Sequence, residues 1–502
     1  MDRGVRTVTI ALLGLLFAVV VYRAATQSLT HDEALSYQLF VAMPLWVVFG
    51  YYDPNNHFLL SLLVRLTTTL FGSSELTVRL PTVLGCAAYF FVVYRLLFLL
   101  FGGRLWLPLA ALVMTANPLL LDMLVAARGY GLAVAMFWLG FWQLFTYATS
   151  EKPRRATLIY GGIGLSCAVM ANMSLLLPAA VLSGLFLATL PQPAPVPESK
   201  KKSRHKKVPP ARSRFSEARY FIGTVLACAF LYWLGYPLHR ATSKSFYSIR
   251  RSLSASAADL VRSSFAYSEG MGAKLSHTLR GAWVDALAFL LLPGVLLGAL
   301  AACWKLRGRT PAKLLLLWST VVTVGSLALH VVTNFLFRWP YPADRTGVYL
   351  FPLVGMSLVS LIAVLRETGG RGKYATMPLG LLAVAISVSY LSQFNTGTFY
   401  VWGYDADNRQ IVERLGSLRG NSDRVLDVGI SWQLEPSFNY YRKSRNLSWL
   451  PKFDRRGPRS YHDYYVLARN DQDFIRQRGL KVLYTGLRSG TVLAAGPDVK
   501  TP

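Results

Sequence analysis

The sequence predicts an α-helical polytopic membrane protein with a small α/β domain after its last span. Of the 502 residues, 53% are hydrophobic and only 16% are charged, whereas a soluble protein of this size carries about 25% charged residues. The apolar residues form recurrent runs of roughly 17–25 residues, which is the length that crosses a bilayer. Every second short turn between these runs is basic, as the positive-inside rule requires.

The net charge of +28 does not indicate nucleic-acid binding, because the basic residues mostly cap apolar runs in short loops. The four cysteines lie in or beside apolar runs without CxxC spacing, so neither a disulfide framework nor a zinc site is expected. The first apolar run, residues 8–21, shows no A-x-A cleavage pattern and is interpreted as an uncleaved span. The basic residues before it place the N-terminus in the cytoplasm.

Eleven spans are predicted in total, so that the C-terminus lies outside. They cover about residues 8–21, 78–99, 105–121, 131–148, 158–171, 175–190, 220–236, 282–304, 314–335, 348–365 and 377–391. The first outside loop, residues 27–76, holds two interrupted apolar pieces, Glu33–Phe49 and Phe58–Phe71, which are expected to form amphipathic helices on the membrane surface. Residues 239–280 form a long outside loop.

Two further segments differ from the spans in composition. Residues 191–217 are rich in Pro, Lys and Arg and cannot form a packed core, so a disordered cytoplasmic loop in contact with anionic headgroups is predicted. Residues 1–392 thus form the membrane module, and residues 393–502 form an extracytoplasmic α/β domain. Its predicted helices are 407–418, 436–445 and 471–478, and its strands are 424–428, 464–467, 481–484 and 491–494.

The first outside loop carries the densest polar chemistry. Asp32 and Glu33 follow the first span directly, and acidic groups so close to a span are costly unless they are functional or well paired. A partly desolvated carboxylate there would have the raised pKa that suits a general base. The alternative is a helix N-cap with an acidic first turn, and the two roles are compatible.

A second polar cluster in the same loop reads Asp53-Pro54-Asn55-Asn56-His57. Amides and an imidazole can bind a phosphate or the hydroxyl groups of a sugar. The alternative is an ordinary turn followed by a helix cap. Two Asn and one His exceed what a turn needs, which favours a binding role.

Two more polar clusters fall on the outside face. Arg128 and Tyr130 belong to DMLVAARGY at 122–130, and Arg345 belongs to FRWPYPADRTG at 337–347. An arginine at the mouth of a span can clamp a phosphate, although snorkelling arginines within an aromatic belt give the same pattern. The hypothesis of a site rests on the convergence of these clusters on one membrane face.

The energy for a reaction must arrive with the substrate. The sequence contains no Walker A motif, no HExxH and no dinucleotide fingerprint. An enzyme with its site outside has no access to cytoplasmic nucleotide sugars. A lipid-linked phosphosugar supplies both a sugar and a phosphate leaving group, and it reaches the site through the bilayer.

At this point the chain resembles the GT-C glycosyltransferases that use polyprenyl-phosphate sugars, especially the protein O-mannosyltransferases and the lipid A aminoarabinose transferases. The resemblance rests on Asp32-Glu33 after the first span, PNNHFLLSLLVRL at 54–66, SSELTVRLP at 73–81 and ARGY at 127–130. It covers roughly residues 1–190 well and the remainder weakly.

The resemblance implies an inverting sugar transfer with Asp32 as the base and Glu33 in support of it. Arg128 and His57, together with Arg345, would face the donor phosphate. Residues Asn55, Asn56 and Tyr130 complete the set expected to bind the donor. Where aminoarabinose transferases have a Lys-Pro pair, this chain has Asn55-Asn56-His57, which leaves the sugar open.

A divalent metal is compatible with the resemblance, and Asp32, Glu33 and His57 would be its ligands. The expected partners are a polyprenyl-phosphate sugar, membrane lipid and a lipid, glycan or protein acceptor, and a bacterial inner membrane is the expected location. The alternatives are a transporter or flippase of lipid-linked sugars and a noncatalytic assembly subunit. Transporters usually place ionisable groups near the bilayer midplane, whereas the acids here collect in outside loops.

Overall fold

The computed structural model describes residues 2–50, 52–190, 214–236, 252–265, 277–305, 310–370, 372–420 and 424–499. Eight of the described helices are long and apolar enough to cross a membrane, and a bent pair of shorter helices makes a ninth candidate. A single four-stranded sheet follows the last of these helices. The predicted class, a helical membrane protein with a small C-terminal sheet, is confirmed.

The N-terminal half consists of helices α1 to α10. Their bounds are α1 Asp2–Thr26, α2 His31–Ser36, α3 Leu45–Gly50, α4 Phe58–Phe71, α5 Glu75–Phe101, α6 Trp106–Thr115, α7 Pro118–Val125, α8 Tyr130–Thr149, α9 Arg155–Ala171 and α10 Leu176–Thr189. A π-helical turn, Tyr37–Val41, continues α2. The two apolar pieces of the predicted first outside loop are therefore helical, while their location on the membrane surface stays a prediction.

The C-terminal half completes the helices and adds the sheet. Its elements are α11 Arg214–Gly235, α12 Leu253–Phe265, α13 His277–Ala286, α14 Leu292–Lys305, α15 Pro311–Phe337, α16 Leu350–Thr368, α17 Gly372–Ser392, α18 Asn408–Arg419, β1 Val428–Ile430, α19 Glu435–Ser444, β2 Tyr464–Leu467, α20 Asp473–Arg478, β3 Lys481–Thr485 and β4 Val492–Ala495. Helix α12 lies inside the stretch 239–280 that was expected to be an outside loop.

All eleven predicted spans are helical, but not all of them are long enough to cross a membrane as single helices. The segments predicted at 158–171 and 175–190 are short apolar helices. The third span predicted at 105–121 corresponds to a bent pair, because α6 and α7 meet at an angle of 62°. Asn117 explains the break: its side chain accepts a hydrogen bond from the Leu120 amide, and Pro118 opens α7 at its first turn.

The polybasic segment is shorter than predicted. Residues 191–213 lie outside the described part of the chain, and residues 214–217 already belong to α11. Glu217 accepts hydrogen bonds from the Arg155 guanidinium and the Tyr147 hydroxyl. Helix α11 is thereby tied to α8 and α9 at the predicted cytoplasmic side.

Small residues allow α8 and α9 to pack closely. A Cβ atom added at Gly164 would lie 2.7 Å from the Gly140 nitrogen, and one added at Gly161 would lie 2.5 Å from the Leu144 side chain. Close backbone approach through glycine is the usual basis of helix association in a bilayer. This pair gives the bundle a rigid centre next to the outside loop.

The sheet has the strand order β1-β2-β4-β3, with β1 parallel to β2 and the other pairs antiparallel. Three of the four predicted strands coincide with β2, β3 and β4 to within a residue. The first strand was predicted at 424–428 but runs over Val428–Ile430. Its pairing with β2 begins only at Val428, which lies opposite Tyr464. The division of the chain into two domains at residue 392 stays a prediction.

A buried ion pair connects α1, α7 and the segment after α17. Arg23 Nη2 lies 2.6 Å from Asp122 Oδ1, with side chains only 4% and 2% exposed. Arg23 also donates to the Thr398 carbonyl, and Asp122 accepts from the Tyr400 amide at 2.7 Å. The chain after the last span is therefore fixed to the bundle by charge.

We expect Asp122→Asn to lower the free energy of unfolding by about 3–5 kcal/mol, because Arg23 is left buried without its counter-charge. Chemical denaturation of the purified protein in detergent measures the change. Asp473→Asn, which breaks an exposed pair with Arg476, should change it by less than about 1 kcal/mol. Equal effects of the two variants would contradict the conclusion that the buried Arg23–Asp122 pair stabilises the fold.

Candidate active site

Helix α2 begins with a capping box that leaves Asp32 free. The Thr30 hydroxyl accepts from the Glu33 amide, and the Glu33 carboxylate accepts from the Thr30 amide at 2.9 Å. The helix cap considered for Asp32 is thus supplied by Thr30. The carboxylate of Asp32 points elsewhere.

Glu33 is fully buried and forms an ion pair with Arg79. Its Oε2 lies 2.6 Å from Arg79 Nη2, and its Oε1 lies 2.8 Å from Arg79 Nε and 2.7 Å from the Ala127 nitrogen. Burial by itself raises the pKa of Glu33, but the Arg79 charge and these hydrogen bonds outweigh it and hold the pKa below its ordinary value. Both oxygens are occupied, so the geometry gives Glu33 a positioning role.

Arg79, near the start of α5, also holds the end of α1. It donates to the carbonyl groups of Gln27 and Ser28, each at 2.8 Å. Its Nη1 also donates to the Ala24 carbonyl at 3.3 Å, one of the last carbonyls of α1, which a helix end leaves without partners. One arginine therefore fixes the end of the first span relative to the helix that carries Asp32.

Asp32 lies between two arginines and is 17% exposed. Its Oδ2 is 3.5 Å from Arg128 Nη2 and 3.5 Å from Arg345 Nη2, and the Trp402 side chain hydrogen-bonds to it. Burial raises the pKa of Asp32, but the two guanidinium charges outweigh that effect, so the net shift is downward. The expectation of a raised pKa is therefore wrong, and Asp32 is ionised at neutral pH.

Arg128 is held rigidly by polar groups of the first outside loop. Its Nη1 donates to the Ser36 hydroxyl at 2.6 Å, and its Nη2 donates to Asn55 Oδ1 at 3.0 Å. The next residue, Gly129, has φ +75°, and a Cβ there would lie 2.3 Å from the Ala171 carbonyl oxygen. Only glycine fits this turn, which explains the ARGY pattern physically.

Arg345 comes from a distant part of the chain and is fixed by two aromatic residues. It sits on a 3₁₀ turn, Asp344–Gly347, with its guanidinium 5.2 Å from the centre of the Trp402 ring. The Tyr130 hydroxyl is hydrogen-bonded to it. The structure thus brings together Asp32, Arg128 and Arg345, as the sequence predicted, and gives Tyr130 the task of orienting an arginine.

The turn at 53–57 divides its polar side chains between two roles. Asn55 contacts Arg128 at the site. Asn56 is buried, with its amide donating to the Val48 carbonyl at 3.1 Å and accepting from the Ser61 hydroxyl at 2.9 Å. For Asn56 the geometry favours the turn-and-cap alternative over direct contact with a donor.

His57 is also buried, beneath the site. It packs edge-to-face on Tyr130 at 5.6 Å between ring centres, and Asn172 lies 3.4 Å from its Nδ1. Burial holds the pKa of His57 well below its ordinary value, with the arginine charges acting in the same direction. A neutral, buried imidazole supports the Arg128 turn, so the geometry does not favour the predicted phosphate contact.

The donor atoms do not fit a divalent metal. No group of three or more His, Cys, Asp or Glu side chains among the described residues is arranged to hold one. Asp32 faces two guanidinium groups, and both oxygens of Glu33 are occupied. The three ligands considered from the sequence are thus separated by their partners, and no step below uses a metal.

Sequence reasoning missed the contribution of residues after the last span. Trp402 donates to Asp32, and Asp405 accepts from the His31 amide at 2.6 Å and from Asn408 at 2.8 Å. Burial raises the pKa of Asp405 well above its ordinary value. The run FYVWGYD at 399–405, directly after the last span, was an available signal, since it places several aromatic residues and an acid at the membrane surface.

An apolar cavity of about 160 Å³ lies among the C-terminal spanning helices. Side chains of α12, α14, α15, α16 and α17 line it. Tyr341 and Pro342 close one side of it, and Arg345 follows them in the same short segment. The cavity and the arginine are therefore built by one connection between two spans.

No family model and no curated protein matches this chain. Among solved structures it is similar to ArnT from Cupriavidus metallidurans bound to undecaprenyl phosphate, at 10% identity over 100% of both chains with a TM-score of 0.49. It is also similar to the arabinofuranosyltransferase AftD from Mycobacteria, at 13% identity over 84% of this chain and 30% of that one, with a TM-score of 0.43. A third similar structure is the Archaeoglobus fulgidus oligosaccharyltransferase, at 12% identity over 90% and 60%, with a TM-score of 0.40.

The positioning role of Glu33 predicts that Glu33→Gln lowers the free energy of unfolding by about 3–5 kcal/mol, because Arg79 loses its buried counter-charge. Denaturation in detergent measures it, with Glu413→Gln as the control, since Glu413 pairs with arginines at an exposed position. The double variant Glu33→Gln/Arg79→Met should recover part of the lost stability. No recovery would argue against the ion pair as the main role of Glu33.

Proposed function

We propose that this protein is an integral membrane glycosyltransferase that moves a sugar from a polyprenyl-phosphate carrier to a hydroxyl group outside the cytoplasm, with inversion. The observation that carries the proposal is the ionised carboxylate of Asp32 between Arg128 and Arg345, with an apolar cavity beside the segment that carries Arg345. A base, two phosphate-binding cations and room for a lipid are the parts that such a reaction needs.

Asp32 acts as the general base in this proposal. The acceptor oxygen attacks the anomeric carbon while its proton passes to the Asp32 carboxylate, and the bond between that carbon and the phosphate oxygen breaks. Polyprenyl phosphate leaves with the bonding electrons. Attack from the side opposite the phosphate inverts the anomeric centre. A positioned base of this kind contributes about 10²–10⁴-fold to the rate.

The two arginines have two tasks. They hold the pKa of Asp32 down, which keeps the base ionised. They also present guanidinium groups to a donor phosphate, for which arginine is well suited because it binds phosphate oxygens bidentately. Arg128 keeps one N–H in reserve, since its buried Nε has no partner among the described residues. Stabilising the leaving phosphate lowers the barrier as its charge develops.

A lipid-linked donor fits the remaining features better than a soluble one. The cavity is apolar and bounded largely by membrane-spanning helices, and at about 160 Å³ it can hold a short part of an isoprenoid chain. The sequence has no nucleotide-binding fingerprint, which agrees with a donor activated by its own phosphate. We further propose a bacterial inner membrane, with the site and the C-terminal sheet on the extracytoplasmic side.

The alternatives explain the geometry less well. A transporter would be expected to place its ionisable groups near the middle of its spans, whereas the Glu33–Arg79 and Arg23–Asp122 pairs lie at helix ends on the side of the first outside loop. An assembly subunit needs no ionised acid held between two arginines. Both alternatives predict that the purified wild type releases no polyprenyl phosphate from lipid-linked sugars.

The first test is release of polyprenyl phosphate from a panel of polyprenyl-phosphate sugars, with crude membrane extract as the source of acceptor. Asp32→Asn should lower the turnover by about two or more orders of magnitude, because the base is lost. Asp427→Asn, an exposed acid beside His462, is the matched control and should match the wild type. Equal turnover by Asp32→Asn and the wild type would remove Asp32 as the base.

The second test is the pH dependence of kcat/KM. Because the pKa of Asp32 is lowered, its base form persists below the ordinary Asp pKa of about 3.9, so activity should stay level from pH 7 down to about pH 5. Arg345→Gln removes one positive neighbour and should move the acid limb to higher pH. His57 should give no step near pH 6.5, since burial keeps it neutral. A wild-type limb between pH 6 and 7 would contradict this electrostatic account.

A further inference from the structure

A group of C-terminal side chains surrounds His31, the residue directly before Asp32. Trp432 packs edge-to-face on the His31 ring at 6.0 Å between ring centres, and Arg455 Nη2 lies 3.4 Å from His31 Nε2. The Gln433 carbonyl lies 2.5 Å from His31 Nδ1. We call these four side chains, His31, Trp432, Gln433 and Arg455, the acceptor rim. None of them was singled out for a role by the reaction proposed above.

The hydrogen bond to Gln433 fixes the state of the His31 ring. A carbonyl oxygen can only accept, so Nδ1 carries the proton and Nε2 keeps its lone pair. Burial, aided by the Arg455 charge, lowers the pKa of His31, which agrees with a neutral ring. The Nε2 lone pair accepts from the Arg455 guanidinium, so His31 holds Arg455 in place at the rim.

The rest of the rim combines an exposed aromatic ring with a hydrogen-bond acceptor and a hydrogen-bond donor. Trp432 is 48% exposed although its neighbour Leu434 is buried. The side-chain oxygen of Gln433 is buried without a hydrogen-bond partner within the described ranges, which is costly unless a ligand supplies a donor. The Arg455 side chain is 50% exposed and donates through Nε to Glu435. The rim thus has an aromatic ring, one unpartnered acceptor and one donor.

This set of groups distinguishes between classes of ligand. Arg455 is the one guanidinium of the rim and is paired with Glu435, whereas the proposed phosphate site has two guanidinium groups around a single carboxylate. A sugar ring has an apolar face of C–H groups for an indole and hydroxyl groups that both donate and accept. The side-chain oxygen of Gln433 needs a donor, and a sugar hydroxyl provides one. The rim lies next to the base, where the acceptor must be held.

We propose that the acceptor rim binds a sugar ring, and that the acceptor is therefore a glycan or the sugar headgroup of a glycolipid. This inference rests on the proposed function for the transfer step, but binding of a sugar does not depend on turnover. Trp432 would set the position of the acceptor ring, and Gln433 would select among hydroxyl orientations, with His31 keeping Arg455 in place. The hydroxyl to be glycosylated then faces Asp32.

The binding test uses saturation-transfer NMR on the full-length protein in nanodiscs, with methyl glycosides of glucose, galactose, mannose and arabinose as probes. At least one probe should receive saturation from the wild type. Trp432→Ala should weaken its binding roughly tenfold through loss of the ring contact, and Trp432→Phe should restore most of it. Trp304→Ala, which removes an exposed tryptophan at the end of α14, is the matched control and should bind like the wild type.

Three outcomes overturn the proposal that the acceptor rim binds a sugar. They are no saturation of any glycoside by the wild type, equal saturation by Trp432→Ala and the wild type, and saturation that Trp304→Ala reduces as much as Trp432→Ala does. Circular dichroism of each variant shows whether it is folded, and Trp432→Phe keeps the comparison valid if the alanine variant unfolds.

A kinetic test separates this inference from the proposed function. With the bound glycoside as acceptor and a polyprenyl-phosphate sugar as donor, Trp432→Ala should raise the KM for the glycoside roughly tenfold, with a much smaller change in kcat. Binding without transfer by the wild type would count against the proposed reaction and leave the rim intact. Transfer with an unchanged KM in Trp432→Ala would overturn the rim and leave the reaction intact.

Discussion

The buried ion pair between Glu33 and Arg79 is the constraint on which the site depends. Two charges without access to water are costly unless every polar atom is satisfied, and here both carboxylate oxygens are bonded. These bonds connect Glu33 to the Thr30 amide at the start of α2, to the Ala127 amide and, through Arg79, to the end of α1. Three separate parts of the chain are thereby held at one point, and the residue next to Glu33 is held with them.

That residue is Asp32, and its surroundings determine what it can do. Two guanidinium groups at 3.5 Å keep it ionised despite partial burial. A weakly basic carboxylate is sufficient when the leaving group is a phosphate ester stabilised by the same two arginines. The balance between burial and charge also explains why the arginines are fixed so firmly, Arg128 by Ser36 and Asn55 and Arg345 by an aromatic ring below it.

Residues after the last span complete the site that the spans begin. Trp402 contacts both Asp32 and Arg345, and Asp405 holds the first amide of α2. The Arg23–Asp122 pair binds the connecting segment to the bundle. In the proposed reaction, residues of the C-terminal part would hold the acceptor, and Arg128 and Arg345 would hold the donor phosphate.

The sequence by itself determined the class of the protein, the positions of its apolar helices, three of the four strands and the cluster of Asp32, Arg128 and Arg345, because hydrophobic periodicity and polar residues at helix ends are local signals. It also placed Asn55 and Tyr130 near the site. It could not assign Glu33, Asn56 and His57 to support, nor find Arg79, Trp402 and the acceptor rim as partners. Those roles depend on which side chains meet across up to about four hundred residues of chain. The direction of the Asp32 pKa shift was decided in the same way, since only tertiary structure sets the distance between an acid and two arginines.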